Sequence, residues 1–419
     1  MNSSKRSLVF YGWYVVAAAF VITFVGFGSA YTFSAFLDSL QHEFGASRGS
    51  VSAVFSMAGF LYFSFGIVSA PLAGRLGVKT LCAIGMACAG GGLILAAQAQ
   101  TLIQVYVAYG IGIGIGVGCA YVPALGAVQR WFIARRGLAS GLAVSGIGVG
   151  TFVMPPLATW LIGGFGWRNA YSVIGALTII LGIAAAFVIE DEPIRRGQYP
   201  DGVDGSATAN TAVSQSPTDT SVRDAVRTRR FLDLYLASLM ASLGVFVPFV
   251  HLAPFARDHG MTATTATWLV GAIGIGSTLG RFFLGSLADR MGRERFLIGM
   301  YAGMAVALVV WLLGASFPLL LVFAIVFGLF YGGWVAVLPA VVADMFGARH
   351  AGRIIGVLYT SVAIGTLVGP STAGFVYDIS QSYTIPIAVG AATNALAALM
   401  TLLAVRRAEA AKGPTSFAA

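Results

Sequence analysis

Arg281 stands in the apolar, glycine-rich run "GIGSTLGRFFLGSLADRMGRERF", residues 274–296, eight residues before the next charge at Asp289. A guanidinium is permanently charged, and its planar fork of donors matches a carboxylate. The chemistry such a residue can do in apolar surroundings is anion recognition. His251, in "VPFVHLAPF" between Pro248 and Pro254, is the second candidate. Its unperturbed pKa of about 6.5 suits a proton acceptor, and a neutral imidazole bonded to a carbonyl freed by a proline bend is the other reading. No clustered acid–base pair, nucleophile or metal-ligand spacing accompanies them, so an enzyme is not expected, nor a metal or cofactor.

The elements that position these residues are membrane spans. The chain has 419 residues, 58% hydrophobic and 10% charged, with a mean hydropathy of +0.84. Soluble domains carry about 25% charged residues. Apolar runs of about 20 residues, long enough to cross a bilayer as helices, recur twelve times. They are Tyr11–Leu37, Val51–Ala73, Thr80–Ala97, Leu102–Val128, Leu138–Ile162, Ala170–Ile189, Phe231–Phe255, Thr264–Leu287, Phe296–Ala315, Pro318–Ala343, Ile354–Val376 and Tyr383–Val405. The fold class is an all-α polytopic membrane protein, and the alternation of a β-barrel is absent.

The net charge of +9 reports topology rather than nucleic-acid binding. Twenty-one Lys and Arg residues fall on loops of one side, and only Arg48, Arg168 and Arg257 on the other. The positive-inside rule then places both termini in the cytoplasm. Arg281 is the basic residue left over. Placing it mid-membrane costs roughly 2.5–3.5 kcal/mol, and no carboxylate sits at its depth to offset this. Cys82, Cys88 and Cys119 all fall in spans and read as small buried hydrophobes. The first run is too long for a signal peptide and is expected to be retained.

Residues 190–230 are polar and rich in Pro, Gly, Ser and Thr, as expected of a flexible cytoplasmic linker. It divides the chain into six-span halves, residues 1–189 and 231–419. "APLAGRLGVK" after span two resembles "GSLADRMGRER" after span eight, with Arg75 215 residues before Arg290. "YVPALGAVQRWF" and "AVLPAVVADMF" match at a similar offset. Such landmarks imply a pseudo-symmetric transporter. The glycine run "YGIGIGIGVGCAYVP" lies inside one span, so it serves helix packing rather than a dinucleotide fingerprint, which needs a strand before it.

The loop "GSLADRMGRER" is similar to the loop between spans two and three, repeated between eight and nine, of the major facilitator superfamily. Asp289 and Arg290 match its acidic-basic core, while in the first copy Gly74 replaces the acid and Arg75 alone carries over. "YGWYVVAAAF" and "RWFIARRGLASGLAVSGIGVG" resemble the span-one and span-five signatures of the monocarboxylate transporter family. The resemblance implies a plasma-membrane transporter of a small monocarboxylate such as lactate or pyruvate, with protons and the lipid bilayer as its other partners. It makes Arg281 the substrate-binding arginine of span eight. Phe33, Tyr121, Tyr331 and Tyr359 are candidates to line the site, the tyrosines offering hydroxyls to a hydroxy- or keto-acid. His251 is the candidate for proton coupling. Asp289, Arg290, Arg293 and Arg75 are candidates for gating, a carboxylate and guanidiniums at helix ends that can latch two halves. Two positions depart from the family: Ser277 stands where an aspartate pairs with the arginine, and Tyr31 where span one carries a lysine. An oxalate/formate-type antiporter, which uses a second cation in span eleven, and a non-transporting receptor are the other readings.

Overall fold

The computed structural model describes residues 10–202, 220–347 and 350–411, the side chains of 70, 285, 286, 289 and 408–411 excepted. The described residues are helical apart from short joints, with no strand among them. In hydrocarbon each backbone amide must be satisfied within its own segment, and the helix does this.

Eleven described helices are long and apolar enough to cross a membrane. One of them, Arg136–Val188, has 53 residues. Straight, it would run about 80 Å at 1.5 Å per residue, against about 30 Å of bilayer hydrocarbon. Gly166 breaks it, at φ 79° and ψ 162°, and divides it into two passes. The twelve helices are α1 (Gly12–Phe44), α2 (Arg48–Leu76), α3 (Val78–Ala96), α4 (Leu102–Trp131), α5 (136–165), α6 (167–188), α7 (Arg229–Asp258), α8 (Ala263–Met291), α9 (Arg293–Leu312), α10 (Phe317–Phe346), α11 (Ala351–Ser380) and α12 (Thr384–Ala411). An even number of passes puts residues 10 and 411 at one end, with the linker. We call this the linker end and the opposite one the far end.

The two halves repeat their irregularities. Gly77 joins α2 to α3 at φ 81°, and Gly292, 215 residues later, joins α8 to α9 at φ 86°. A single residue with positive φ turns the chain from one helix into the next, a conformation open to glycine and strained for other residues. Pro155 in α5 and Pro370 in α11 are also 215 residues apart. Helix α1 is interrupted at Thr32 and α7 at Phe246.

Small residues set how closely the helices approach. In α4, Gly112 and Gly116 lie against the α3 backbone around Gly92 and Ala89, while Gly114 and Gly118 lie against α2 at Ala58 and Tyr62. The glycine run therefore packs two neighbours on two faces, as expected of a span. In the "SGIGVG" stretch of α5, Gly146 and Gly150 meet α1 at Phe20 and Phe24. Gly148 faces the other half, where an added Cβ would come within 2.8 Å of the Gly274 carbonyl in α8. The α5–α8 contact and the α2–α11 contact at Gly49 and Gly374 form the interface between the halves. Thr159 and Thr267 add a hydroxyl pair across it at 3.1 Å.

The expected linker is described in part, residues 203–219 lying outside the described residues. Its first segment is fastened to the N-terminal half. Trp131 and Arg130 donate to the Glu190 and Asp191 carbonyls at 2.8 and 2.9 Å, and the Asp201 carboxylate accepts from the amides of Ile133 and Ala134. Its last segment touches the C-terminal half, where Thr220 donates to the Phe346 carbonyl. One cysteine differs from expectation. Cys82 and Cys119 are buried, but Cys88 is exposed on the outer surface of α3, because periodicity in an all-apolar helix does not mark which face meets lipid.

Candidate functional site

Helix α8 carries Arg281 inward, where it is 5% exposed. One turn earlier, the Ser277 hydroxyl accepts a 2.7 Å hydrogen bond from Arg281 Nη1. Nε and Nη2 are buried and have no hydrogen-bond partner among the described residues. Those two nitrogens form one edge of the guanidinium, the edge that grips a carboxylate with two parallel bonds. Among the described residues no carboxylate pairs with Arg281. A buried charge without a counter-charge is costly, and this free edge has the geometry to take a carboxylate.

Tyrosines from both halves surround it. The Tyr331 ring of α10 lies 5.8 Å from the guanidinium carbon. Tyr31 and Tyr121 from the N-terminal half, and Tyr331 and Tyr359 from the C-terminal half, are all within electrostatic reach of the charge. Tyr31 and Tyr331 hold their hydroxyls 3.3 Å apart across the interface. Tyr31 stacks on Phe249 of α7 at 4.6 Å, and Phe249 sits edge-on to Tyr331 at 5.2 Å. Phe27 packs edge-on against Tyr121, and Phe63 against Tyr359. The site is thus one cation walled by aromatic rings with hydroxyl tips, a mostly apolar setting with few polar groups, as small-molecule sites are built.

Arg281, Tyr121, Tyr331 and Tyr359 come together. Phe33 does not join them: it is fully buried in the N-terminal half, packed on Phe55 and Tyr109. Tyr31, two residues earlier, reaches the site instead, because it precedes the interruption of α1. Ser277 and Tyr31 both touch the site's polar groups, and in the sequence they register only as departures from a resemblance.

His251 lies apart from Arg281, in a polar layer at the far end. Its Nε2 is 2.8 Å from the Pro370 carbonyl and its Nδ1 is 3.1 Å from the Tyr383 hydroxyl. A carbonyl can only accept, so Nε2 carries a proton and donates. The Tyr383 oxygen already accepts from Arg48 Nη1 at 3.0 Å, leaving its own O–H to donate to Nδ1. The chain Arg48, Tyr383, His251, Pro370 is thereby satisfied with a neutral imidazole. Arg48 also grips Asp258 across the interface and lies 4.1 Å above the Tyr377 ring. Arg257 pairs with Asp38 across the same interface, and Asp378 of α11 accepts from the first amides of α2. These ties close the far end.

The residues singled out for gating lie at the linker end. Arg75 and Arg290 are exposed there. Arg293 pairs with Asp344 of its own half at 2.8 Å. The Asp289 side chain lies outside the described residues. Among the described residues a cross-half latch is seen in the far-end set, whose arginines, Arg48 and Arg257, the sequence shows only as basic residues on the less basic side.

The Major Facilitator Superfamily model matches residues 19–255 and 234–419, and the chain belongs to that family. Its curated relatives are transporters. It is 28% identical to "Monocarboxylate transporter 12" of Rattus norvegicus over 89% of this chain and 81% of the relative. It is 27% identical to "Monocarboxylate transporter 11" of Homo sapiens over 89% and 79%, and 28% identical to "Monocarboxylate transporter 13" of Rattus norvegicus over 91% and 86%. Among solved structures, a mutant of the peptide transporter POT superposes with a TM-score of 0.71 over 94% of both chains at 15% identity, a likeness of fold. The expected class, a non-enzymatic twelve-helix transporter related to the monocarboxylate transporters, holds.

Proposed function

We propose that the protein is a secondary active transporter of small monocarboxylates such as lactate or pyruvate, working by alternating access with proton symport. The observation that carries this reading is the Arg281 edge: Nε and Nη2 buried and unpartnered beside the cross-half tyrosines. One fixed positive charge suits a monoanion. A site between the halves, with the far end latched, suits the rocking of a two-half transporter. A proton carried with the anion makes the cargo neutral, and His251 is the group proposed to accept it, with the far-end latch as the element its charge would disturb. The setting proposed is the plasma membrane with both termini cytoplasmic, from the bias of basic loops. Residues 1–189 and 231–419 are proposed as the moving units, joined by 190–230. Asp289, Arg290, Arg293 and Arg75 are proposed to act at the linker end when that end closes. In α11 the described cation is Arg353, exposed at the helix start, which weighs against a dianion exchanger.

The test is uptake of labelled L-lactate into proteoliposomes with and without an inward proton gradient. Gradient-stimulated uptake supports the reading. No uptake in either condition, by protein shown to be folded, rejects lactate symport.

A further inference from the structure

On the membrane-facing side of α3 and α4 lies a groove of about 620 Å³, running from Cys88 and Ile115 to Gln98 and Gln104. Its floor is the backbone contact of the two helices, where a Cβ on Gly92 would come within 2.8 Å of Gly112 Cα. Beside that contact, a Cβ on Gly91 would meet nothing within 4 Å. Leu95, Ile103, Val107 and Ile111 rise around it, between 41% and 74% exposed. The π-helical turn Tyr106–Ile111 forms part of this wall, a local widening that recurs at functional sites.

Length and polarity identify the occupant. From Cys88 to Gln98 is ten residues, about 15 Å of helix, or half of the roughly 30 Å hydrocarbon core. The groove is therefore one leaflet deep. Its polar residues stand at the far end, at the depth of a bilayer interface. The Gln104 side-chain carbonyl is used by the Gln100 and Thr101 amides, which leaves its NH2 group as a donor. Gln98 is exposed next to it. An apolar slot ending in amide donors matches a hydrocarbon chain ending in ester and phosphate acceptors. A transmembrane helix of a partner would run the full thickness, about twice the depth of this groove. We propose that the groove is a binding site for one phospholipid of the far-end leaflet, its acyl chain lying over Gly91 and its glycerol-phosphate region on Gln98 and Gln104.

The experiment uses the full-length protein in phosphatidylcholine nanodiscs containing a fraction of phosphatidylcholine with a diazirine-bearing acyl chain. After irradiation, adducts are mapped by mass spectrometry. The expected result is adducts on residues 88–115 at about ten times the yield on α6, the ratio given by a preference of about 1.4 kcal/mol. Helix α6 presents Val173, Ile180 and Phe187 to the bilayer and serves as the unspecific reference. Gly91→Leu fills the slot and should bring the yield down to the α6 level. Labelling Cys88 with N-ethylmaleimide plugs the inner end without a mutation, Cys82 and Cys119 being buried, and should do the same. Equal yields on the groove and α6 would overturn the proposal. So would enrichment that survives both blocks, or a co-purifying polypeptide captured in place of lipid.

Discussion

Arg48, at the start of α2, grips Asp258, at the end of α7, with both terminal nitrogens, at 2.6 and 2.7 Å. The pair joins the two halves, its side chains are 13% and 28% exposed, and its geometry is bidentate. Surface ion pairs contribute little, but a hydrogen-bonded, largely sheltered one is worth roughly 1–3 kcal/mol. Arg48→Ala is expected to lower the closed-to-open ratio of the far end by about 5- to 150-fold. Distance distributions between spin labels on the far ends of α1 and α7 would read this directly. An unchanged distribution would show that the pair does not hold the gate.

Arg281→Lys keeps the charge and loses the fork. Lysine is a point charge with no bidentate edge, so ligand affinity is expected to fall about tenfold or more, with Arg281→Ala abolishing binding. Isothermal titration with L-lactate, pyruvate and oxalate would measure it. A lysine variant binding as well as the parent would mean the fork is not what reads the anion.

Ser277→Asp places a carboxylate one turn from the guanidinium. Ionised, it would pair with Arg281 and compete with an anionic ligand, so affinity at pH 7 should fall by about tenfold. Protonation removes the competitor, so affinity should recover as pH falls toward and below the usual aspartate range of about 3.9. The parent, with serine there, should lack that recovery. Binding titrations of both proteins across pH decide the matter.

Tyr31→Phe removes one hydroxyl and leaves the stack on Phe249. A net hydrogen bond is worth about 0.5–1.5 kcal/mol, so opening at the far end should increase by about two- to tenfold. Tyr331→Phe should give a similar shift, and the double variant no further one, since both remove the same bond. Additive shifts in the spin-label distances would mean the hydroxyls act separately.

Why some of this was legible in the sequence and some was not follows from the physics of spans. Length and apolarity mark a pass, because hydrocarbon demands about twenty residues of helix. Gly77 and Gly292 mark the repeat because both must adopt positive φ. Arg281 is conspicuous because charge is expensive in an apolar run. The remainder depends on facing. Phe33 and Tyr31 are two residues apart in one apolar helix, yet only Tyr31 reaches the site, since the interruption at Thr32 turns the later residues into the half's own core. Cys88 and Cys82 lie on the same helix with opposite environments. Asp38 and Arg257 are far apart in sequence, and their pairing exists only once the halves meet.

His251 tests whether the far-end layer handles protons. As derived from its partners, the imidazole is neutral, with Nδ1 accepting from Tyr383. The charged groups that face this layer are Arg48, Arg257, Asp38, Asp258 and Asp378, with Tyr377, Tyr383 and His259 beside them. A proton on Nδ1 would turn the Tyr383 O–H away from it and set a second cation beside Arg48 on the same phenol oxygen, weakening the hold of Tyr383 on Arg48. Protonation is therefore expected to loosen the latch, and acid on that side to favour opening. His251→Gln cannot be protonated. It should abolish stimulation of L-lactate uptake by a proton gradient, while exchange of internal for external L-lactate, which needs no net proton movement, should persist at a measurable rate. Undiminished gradient stimulation in the variant would remove His251 from the coupling path and direct attention to the cross-half tyrosines.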